Sequence, residues 1–233
     1  MTVTSTDLAY DDYDDLPALL TRMTGDEKHT ASATSTLDVL WVLYRRVLRI
    51  DPDRVDDPDR DRFLLSKGHG PMAFYAVLAA TGFFPVSWLD DFGRAGSPLG
   101  FHPDRALVPG VEIASGSLGH GLPMAVGLAL GQRAQGRSAR TFVLVGDAEL
   151  DEGSNHEAMV VAGARGLDRL TAVVIDNQSA SLGWPGGVAE RFAVEGWDTH
   201  IVDGREHDAV AAALQADHPG RPLAVVAVVE PKG

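Results

Sequence analysis

The chain has 233 residues, a formal net charge of −13 and no cysteine. The acidic balance disfavours binding to nucleic acid, because such binding depends on Lys and Arg side chains that neutralise phosphates. The absence of cysteine excludes disulfides, thiolate metal sites and a cysteine nucleophile, so a metal would need other ligands, oxygen atoms above all.

Length and composition favour a single folded domain without a membrane segment. No apolar run approaches the roughly 20 residues of a membrane span. The first residues have neither the basic nor the apolar region of a secretion signal, so we expect a cytoplasmic protein. Residues 1–16, in which Asp dominates, are predicted to be a flexible acidic N-terminus, and residues 17–233 the folded domain.

The sequence of the first half of the chain predicts helices and one short strand. Apolar residues recur at helical spacing over residues 34–49, which indicates an amphipathic helix. A short apolar run at 63–65 predicts a strand, and a helix is predicted to begin near Pro71. The small-residue run 116–121 opens a further helix that reaches about Gln135.

The second half of the chain alternates short apolar runs with helical stretches. The runs rich in Val and Ile cover 141–145, 171–175, 199–202 and 223–229, and helices are predicted at 154–165 and 207–215. Strands that alternate with helices are typical of a parallel sheet. We therefore predict an α/β fold with three layers, in which helices cover both faces of a mostly parallel sheet.

Polar side chains follow two of these strands where each strand ends. Asp147 comes directly after the first strand, and Asn177 follows the next one along the chain. Ligands of open parallel sheets bind at the carboxyl ends of the strands, so the two side chains are expected to converge there. Carboxylate and amide oxygens are ligands that Mg²⁺ prefers. Either residue alone is more often a turn former, but the pair favours a metal site.

These residues resemble those of the transketolase family, whose thiamine-diphosphate motif begins with Gly-Asp-Gly and ends with an Asn at a comparable spacing. Segments 61–70, 100–104 and 116–121 are similar to other family segments, in the same order. The resemblance implies the thiamine-diphosphate-binding fold, with the diphosphate held through Mg²⁺. The implied metal ligands are Asp147, Asn177 and the carbonyl of Ser179. The implied cofactor-binding residues are His69, Gly116, Ser117, Leu118, Gly146, Asp147, Ala148, Glu149 and Asn177.

Three histidines are candidates for catalysis. The resemblance implies that His29 is an active-site residue, that His69 lies beside the diphosphate, and that His102 belongs to a Gly-His-Pro loop. A His taken alone is more often a surface or capping residue, so this prediction depends on the shared order of the segments. Imidazoles donate hydrogen bonds to an oxyanion or move protons near neutral pH, which suits reactions at carbon–carbon bonds beside a carbonyl.

Several positions depart from the family pattern. The unusual residues are Lys28, Thr30, Ala31, His120, Ala148 and Gln178. Ala148 stands where the family has the second Gly of its motif, and its methyl group restricts backbone torsions that Gly would allow. The departures are consistent with either a changed substrate or a weakened site.

The resemblance implies one subunit of a split enzyme. Such a subunit would transfer a two-carbon ketol unit between sugar-like substrates, together with a separately encoded pyrimidine-binding subunit, in a dimer of heterodimers. Decarboxylation of a 2-oxo acid with acyl transfer remains an alternative, as does a non-catalytic subunit that kept the fold. An apolar interface is expected near the cofactor. Its predicted members are Leu118, Leu122, Pro123 and Met124.

Two other kinds of site are disfavoured. The glycines of 116–121 follow the order G-x-x-G-x-G rather than the dinucleotide order G-x-G-x-x-G, and no strong strand precedes them. The G-x-S-x-G elbow of a serine hydrolase does not occur in the sequence.

Overall fold

The computed structural model describes residues 10–25 and 30–231. The helices are α1 (Leu16–Leu20), α2 (Thr30–Val42), α3 (Pro71–Ala80), α4 (Gly121–Ala134), α5 (Gly153–Ala164), α6 (Gly187–Ala193) and α7 (His207–Leu214). The strands are β1 (Arg62–Leu65), β2 (Thr141–Gly146), β3 (Leu170–Asp176), β4 (Asp198–Asp203) and β5 (Leu223–Val228). The predicted alternation of strands and helices is confirmed. Helix α6 was not predicted, and α4 begins only at the last residue of the run 116–121.

The five strands form one sheet in the order β1-β2-β3-β5-β4, and every pair is parallel. The carboxyl ends of β1, β2 and β3 therefore lie side by side at one edge of the sheet. Gly146, the last residue of β2, pairs with Ile175 of β3. This register places Asp147 next to the end of β3, because the Asp147 amide donates to the Ile175 carbonyl over 3.0 Å.

Helices cover both faces of the sheet, which confirms the three-layer fold. One core lies between the sheet and helices α1, α2, α3 and α7. A second core lies between the opposite face and helices α4, α5 and α6. Along β2, Phe142 and Leu144 belong to the first core, and Val143 and Val145 to the second. Both faces of the central strands are therefore apolar, as their continuous Val-rich sequences indicate.

Helix α2 begins earlier than the periodicity predicted, at Thr30, and continues as a wider π-helical turn over Leu43–Val47. Its predicted apolar stripe, which includes Leu37, Leu40 and Trp41, is buried. Among the described residues, no helix is long and apolar enough to cross a membrane.

The predicted acidic N-terminus is structured in its described part. Asp12 caps a single turn at Tyr13–Asp15, and its side chain accepts a hydrogen bond from the Asp14 amide. Leu16, one residue before the predicted domain boundary, is fully buried against the first core. Packing therefore extends upstream of residue 17.

Candidate functional site

The end of β2 and the segment after β3 meet through the side chain of Asp147. This carboxylate is 1% exposed. Its Oδ2 accepts the backbone amides of Ser179 at 2.5 Å and Ala180 at 3.1 Å. Its Oδ1 accepts the Ser179 hydroxyl at 2.6 Å, its one partner within the part of the chain that the structure describes. One oxygen is thus held by the backbone, whereas the partner of the other is a hydroxyl group that is able to rotate away.

Asn177, in the same segment, has a buried side-chain oxygen with no hydrogen-bond partner among the described residues. Such an orphan costs free energy unless something satisfies it, and a metal ion is one such group. The carbonyl of Ser179 accepts no hydrogen bond in the described part of the chain. These three oxygen donors fit the hard cation predicted from the sequence.

No group of three or more His, Asp or Glu side chains able to hold a metal ion occurs within residues 10–25 and 30–231. The candidate site would instead combine one carboxylate with an amide oxygen and a backbone carbonyl. Mg²⁺ bound in this way keeps positions for water or for phosphate oxygens of a ligand. A phosphorylated ligand would therefore complete the ligand set, and the acidic protein would not have to bind it by charge alone.

The segment Gly116–Gly121 forms a turn beside the strand ends, which we call the glycine turn. Gly116 has a φ of +112°, and a Cβ there would lie 2.9 Å from the ring of His102. Gly68, after β1, is close to the same ring, and its carbonyl lies 3.1 Å from His102 Nδ1. Because a carbonyl only accepts, Nδ1 carries the proton and Nε2 of the neutral ring is left as an acceptor.

Two of the three predicted histidines, His69 and His102, lie in the described residues, and both are at the edge of the sheet where the strands end. His69 directly follows Gly68 and is exposed, as is His102. His29 lies outside the described residues, as does Lys28. In the glycine turn, His120 Nδ1 lies 3.0 Å from the Ser117 hydroxyl and 3.1 Å from the Leu118 carbonyl.

The side chain of Glu149, another predicted cofactor residue, is 2% exposed and makes its hydrogen bonds inside the protein. The carboxylate accepts hydrogen bonds from the Ser66 hydroxyl, from the Gly119 amide at 3.0 Å and from the Gly146 amide at 3.3 Å. Burial raises the pKa of this carboxyl, although the hydrogen bonds oppose the shift. Glu149 therefore joins the ends of β1 and β2 to the glycine turn.

The two departures nearest to the metal ligands have different backbone conformations. Ala148 lies in the short helical turn Ala148–Asp151 and has no positive φ. The second Gly of the family motif is therefore not required here on conformational grounds. Gln178 is the only non-Gly residue with positive φ, +57°, within the described ranges. A backbone conformation of this kind is costly and is common near functional sites.

Two side chains that position segments of the site were not predicted from the sequence. Asp151 Oδ2 accepts the amides of Ser181 and Leu182, at 2.8 and 3.2 Å, and the Ser181 hydroxyl at 2.7 Å. Burial acts to raise the pKa of Asp151, but these hydrogen bonds outweigh it and lower that pKa. Asp151 comes one helical turn after Asp147, and this spacing was a signal for it. Ser66 was identifiable as the first polar residue after β1.

The predicted apolar interface residues differ in exposure. Leu118 and Met124 are exposed by 47% and 49%, and Pro123 is half-buried. Leu122 is fully buried in the second core, so its prediction as surface was wrong. The helical register of α4 explains the difference, because Leu122 faces the sheet while Met124 lies on the outer side.

A larger cavity, of about 780 Å³, lies at the opposite edge of the sheet, where the strands begin. Its lining includes Arg49 and Arg140, whose guanidinium groups both bind the fully buried Asp61. These two guanidinium groups therefore share one carboxylate within the fold. A smaller cavity of about 140 Å³ lies beside the glycine turn, lined by Ser66, Ser117 and Met124 among others.

Several known proteins and one family are similar to this chain in sequence. The sequence model of the family described as "Transketolase, thiamine diphosphate binding domain" matches residues 23–229. "Ferredoxin fas2" of Rhodococcoides fascians is 61% identical over 218 residues, which are 93% of this chain and 72% of that protein. An apulose-4-phosphate transketolase subunit of Actinobacillus succinogenes is 36% identical, over 85% of this chain and 75% of that protein.

Solved structures agree in fold. The crystal structure of transketolase from Campylobacter jejuni superposes with a TM-score of 0.77 at 25% identity. The match covers 93% of this chain but 37% of the transketolase chain, so this chain spans little more than a third of that protein.

Proposed function

Because the chain belongs to the family of transketolase thiamine-diphosphate-binding domains, we propose that it is the diphosphate-binding subunit of a split transketolase-like enzyme. The proposed enzyme transfers a two-carbon ketol unit between sugar-like substrates. It requires thiamine diphosphate and Mg²⁺, and a separately encoded pyrimidine-binding subunit completes it. The expected assembly is a dimer of heterodimers.

The observation that carries the proposal is the buried side-chain oxygen of Asn177, which has no hydrogen-bond partner among the described residues and lies in the segment that is hydrogen-bonded to the Asp147 carboxylate. An unsatisfied buried acceptor destabilises a protein by about 1–3 kcal/mol, and a bound metal ion would satisfy this one. In the proposed enzyme, Asp147, Asn177 and the Ser179 carbonyl hold the metal, and the metal holds the diphosphate.

The remaining residues of the site bind and orient. Gly116, Ser117 and Leu118 form the wall against which the cofactor would pack, and the exposed Leu118 supplies an apolar contact. His69 and His29 would donate hydrogen bonds to substrate oxygens or move protons near neutral pH, and His102 would accept a proton at Nε2. Thiamine diphosphate, when bound, supplies the electron sink for carbanions next to a carbonyl.

The need for a partner is supported by the name of a related protein. The relative from Actinobacillus succinogenes is named as one subunit of its transketolase, which supports an organisation in separate subunits here. The name of that relative also refers to a sugar phosphate, apulose-4-phosphate, which favours a phosphorylated ketose as a substrate here. The exposed Leu118 and Met124 offer apolar contact area for the partner.

The relative named a ferredoxin raises a different function, electron transfer. Iron–sulfur clusters of ferredoxins are held by cysteine thiolates. The 233 residues contain no cysteine, so this stretch of chain cannot hold such a cluster. Its similarity to that relative therefore supports a shared thiamine-diphosphate domain, not a shared redox centre.

The experiment is to co-express the chain with the product of the neighbouring reading frame and to measure their association by light scattering. Activity is then assayed with hydroxypyruvate or a ketose phosphate as the donor, for each protein alone and for the mixture. We expect ketol transfer only from the mixture, and none when the chain carries Asp147→Ala. Ketol transfer by the chain alone would refute the split enzyme. Turnover of a 2-oxo acid in place of the ketose would favour the decarboxylase alternative, and a mixture that binds no cofactor would favour a non-catalytic subunit.

A further inference from the structure

The buried carboxylate of Glu149 is the point at which three segments of the site meet. Its Oε1 accepts the Ser66 hydroxyl and the Gly119 amide, and its Oε2 accepts the Gly146 amide. Burying a carboxylate is costly unless hydrogen bonds compensate for the lost water. All three donors are at the cofactor edge of the sheet, and none of them belongs to a packing helix.

Ser66 extends this network to the start of α4. Its hydroxyl donates to Glu149 and accepts the Gly121 amide at 3.0 Å. The first amides of a helix have no partner within the helix, so this bond satisfies one of them. The approach is so close that a Cβ at Gly121 would collide with the Ser66 side chain.

The Gly119 residue is held from both sides. Its amide donates to Glu149, and its carbonyl accepts the Ser154 hydroxyl at 2.6 Å. At the other end of the glycine turn, Gly116 is in contact with the ring of His102. A shift of the turn would therefore move Gly116 against His102, or away from it.

We propose that Glu149 is a positioning residue, which fixes the glycine turn and, through Gly116, the wall beside His102, without touching the cofactor itself. The proposal rests on the proposed function, in which this turn packs against thiamine diphosphate. It assigns Glu149 a role different from the direct cofactor contact predicted from the sequence.

Hydrogen exchange of the isolated chain tests the network without the cofactor. Glu149→Gln replaces one carboxylate oxygen by an amide group that only donates, so either the Gly119 or the Gly146 amide loses its acceptor. We expect the amide that loses its acceptor to exchange about tenfold faster, which corresponds to about 1.4 kcal/mol, and the rest of the glycine turn to follow where that amide is Gly119. Ser66→Ala, which leaves the carboxylate in place, should accelerate mainly the Gly121 amide. Glu206→Gln, the same change at an exposed residue, is the control and should change neither.

Affinity for thiamine diphosphate with Mg²⁺, measured on the chain assembled with its partner, tests the consequence. We expect both variants to bind the cofactor about tenfold more weakly while keeping the metal dependence. Unchanged exchange of both the Gly119 and the Gly146 amides would overturn the network, whatever the protein binds. Faster exchange with unchanged cofactor affinity would show that Glu149 serves the fold alone. A wild-type protein that binds no cofactor would remove the proposed function and this positioning role together, whereas the exchange result would still decide the network.

Discussion

Asp147 and Ser179 are joined by two hydrogen bonds, one from the backbone amide to Oδ2 and one from the hydroxyl to Oδ1. The first bond orients the carboxylate, because the amide is fixed by the segment that follows β3. The second involves a hydroxyl that rotates about a single bond. The oxygen that would face a cation is therefore the one with the more easily displaced partner.

Ser179→Ala removes this hydroxyl and retains the backbone carbonyl. We expect the apo chain to lose about 1 kcal/mol of stability, the usual worth of one such bond. Metal-dependent cofactor binding should be unchanged or up to about threefold tighter, since the hydroxyl no longer competes for Oδ1. Ser181→Ala, which removes the corresponding bond to Asp151, is the matched control for calorimetry. A loss of more than about tenfold in affinity on Ser179→Ala would mean that the hydroxyl itself binds the metal.

His69→Ala and His102→Ala are expected to separate stability from activity. Both side chains are exposed, so thermal unfolding should shift by no more than about 2 °C. Turnover of the assembled enzyme should fall by roughly 10²–10⁴, the range for loss of a general acid or base. Loss of thermal stability together with full turnover would assign these histidines to the fold. His200→Ala, at an exposed position of β4, serves as the control.

Asp61 determines stability at the opposite edge of the sheet. It is fully buried and binds the side chains of Arg49 and Arg140 as well as their backbone amides. Burial alone would raise the pKa of Asp61, but these hydrogen bonds outweigh it and hold the pKa below its usual value. Asp61→Asn should therefore destabilise the chain by about 3 kcal/mol at pH 7, as measured by urea unfolding.

The pH dependence of this loss has a definite sign. A carboxyl whose pKa is lowered by folding contributes its full stability above the unfolded pKa of about 3.9, and the contribution is lost as the pH falls through the folded pKa. The stabilities of wild type and Asp61→Asn should therefore differ most at neutral pH and converge below about pH 4. A difference that stays constant across this range would show that the destabilisation does not come from the charge of Asp61. Asp208→Asn, whose side chain is 98% exposed, should behave like wild type.

The sequence was sufficient to predict which strand ends come together, because local patterns determine where the strands stop. Apolar runs that stop at Asp147 and before Asn177 marked strand ends, and parallel pairing brings such ends together. The position of β5 between β3 and β4 was not predictable from the local sequence. It depends on how the connections between the strands cross and pack against the sheet. The inward orientation of Glu149 was also hidden, since its partners at Ser66 and Gly119 are distant in sequence.

The central claim is that the diphosphate of thiamine diphosphate is held through a metal at Asp147 and Asn177. The most direct test is calorimetric titration of thiamine diphosphate into the assembled protein, in Mg²⁺ and in EDTA, for wild type, Asp147→Ala, Asn177→Ala and the exposed control Asp208→Asn. We predict binding to wild type and Asp208→Asn only when Mg²⁺ is present, and a loss of at least about 100-fold in affinity for the two site variants. Equal affinity with and without the divalent metal, or unchanged affinity of Asp147→Ala, would contradict the claim.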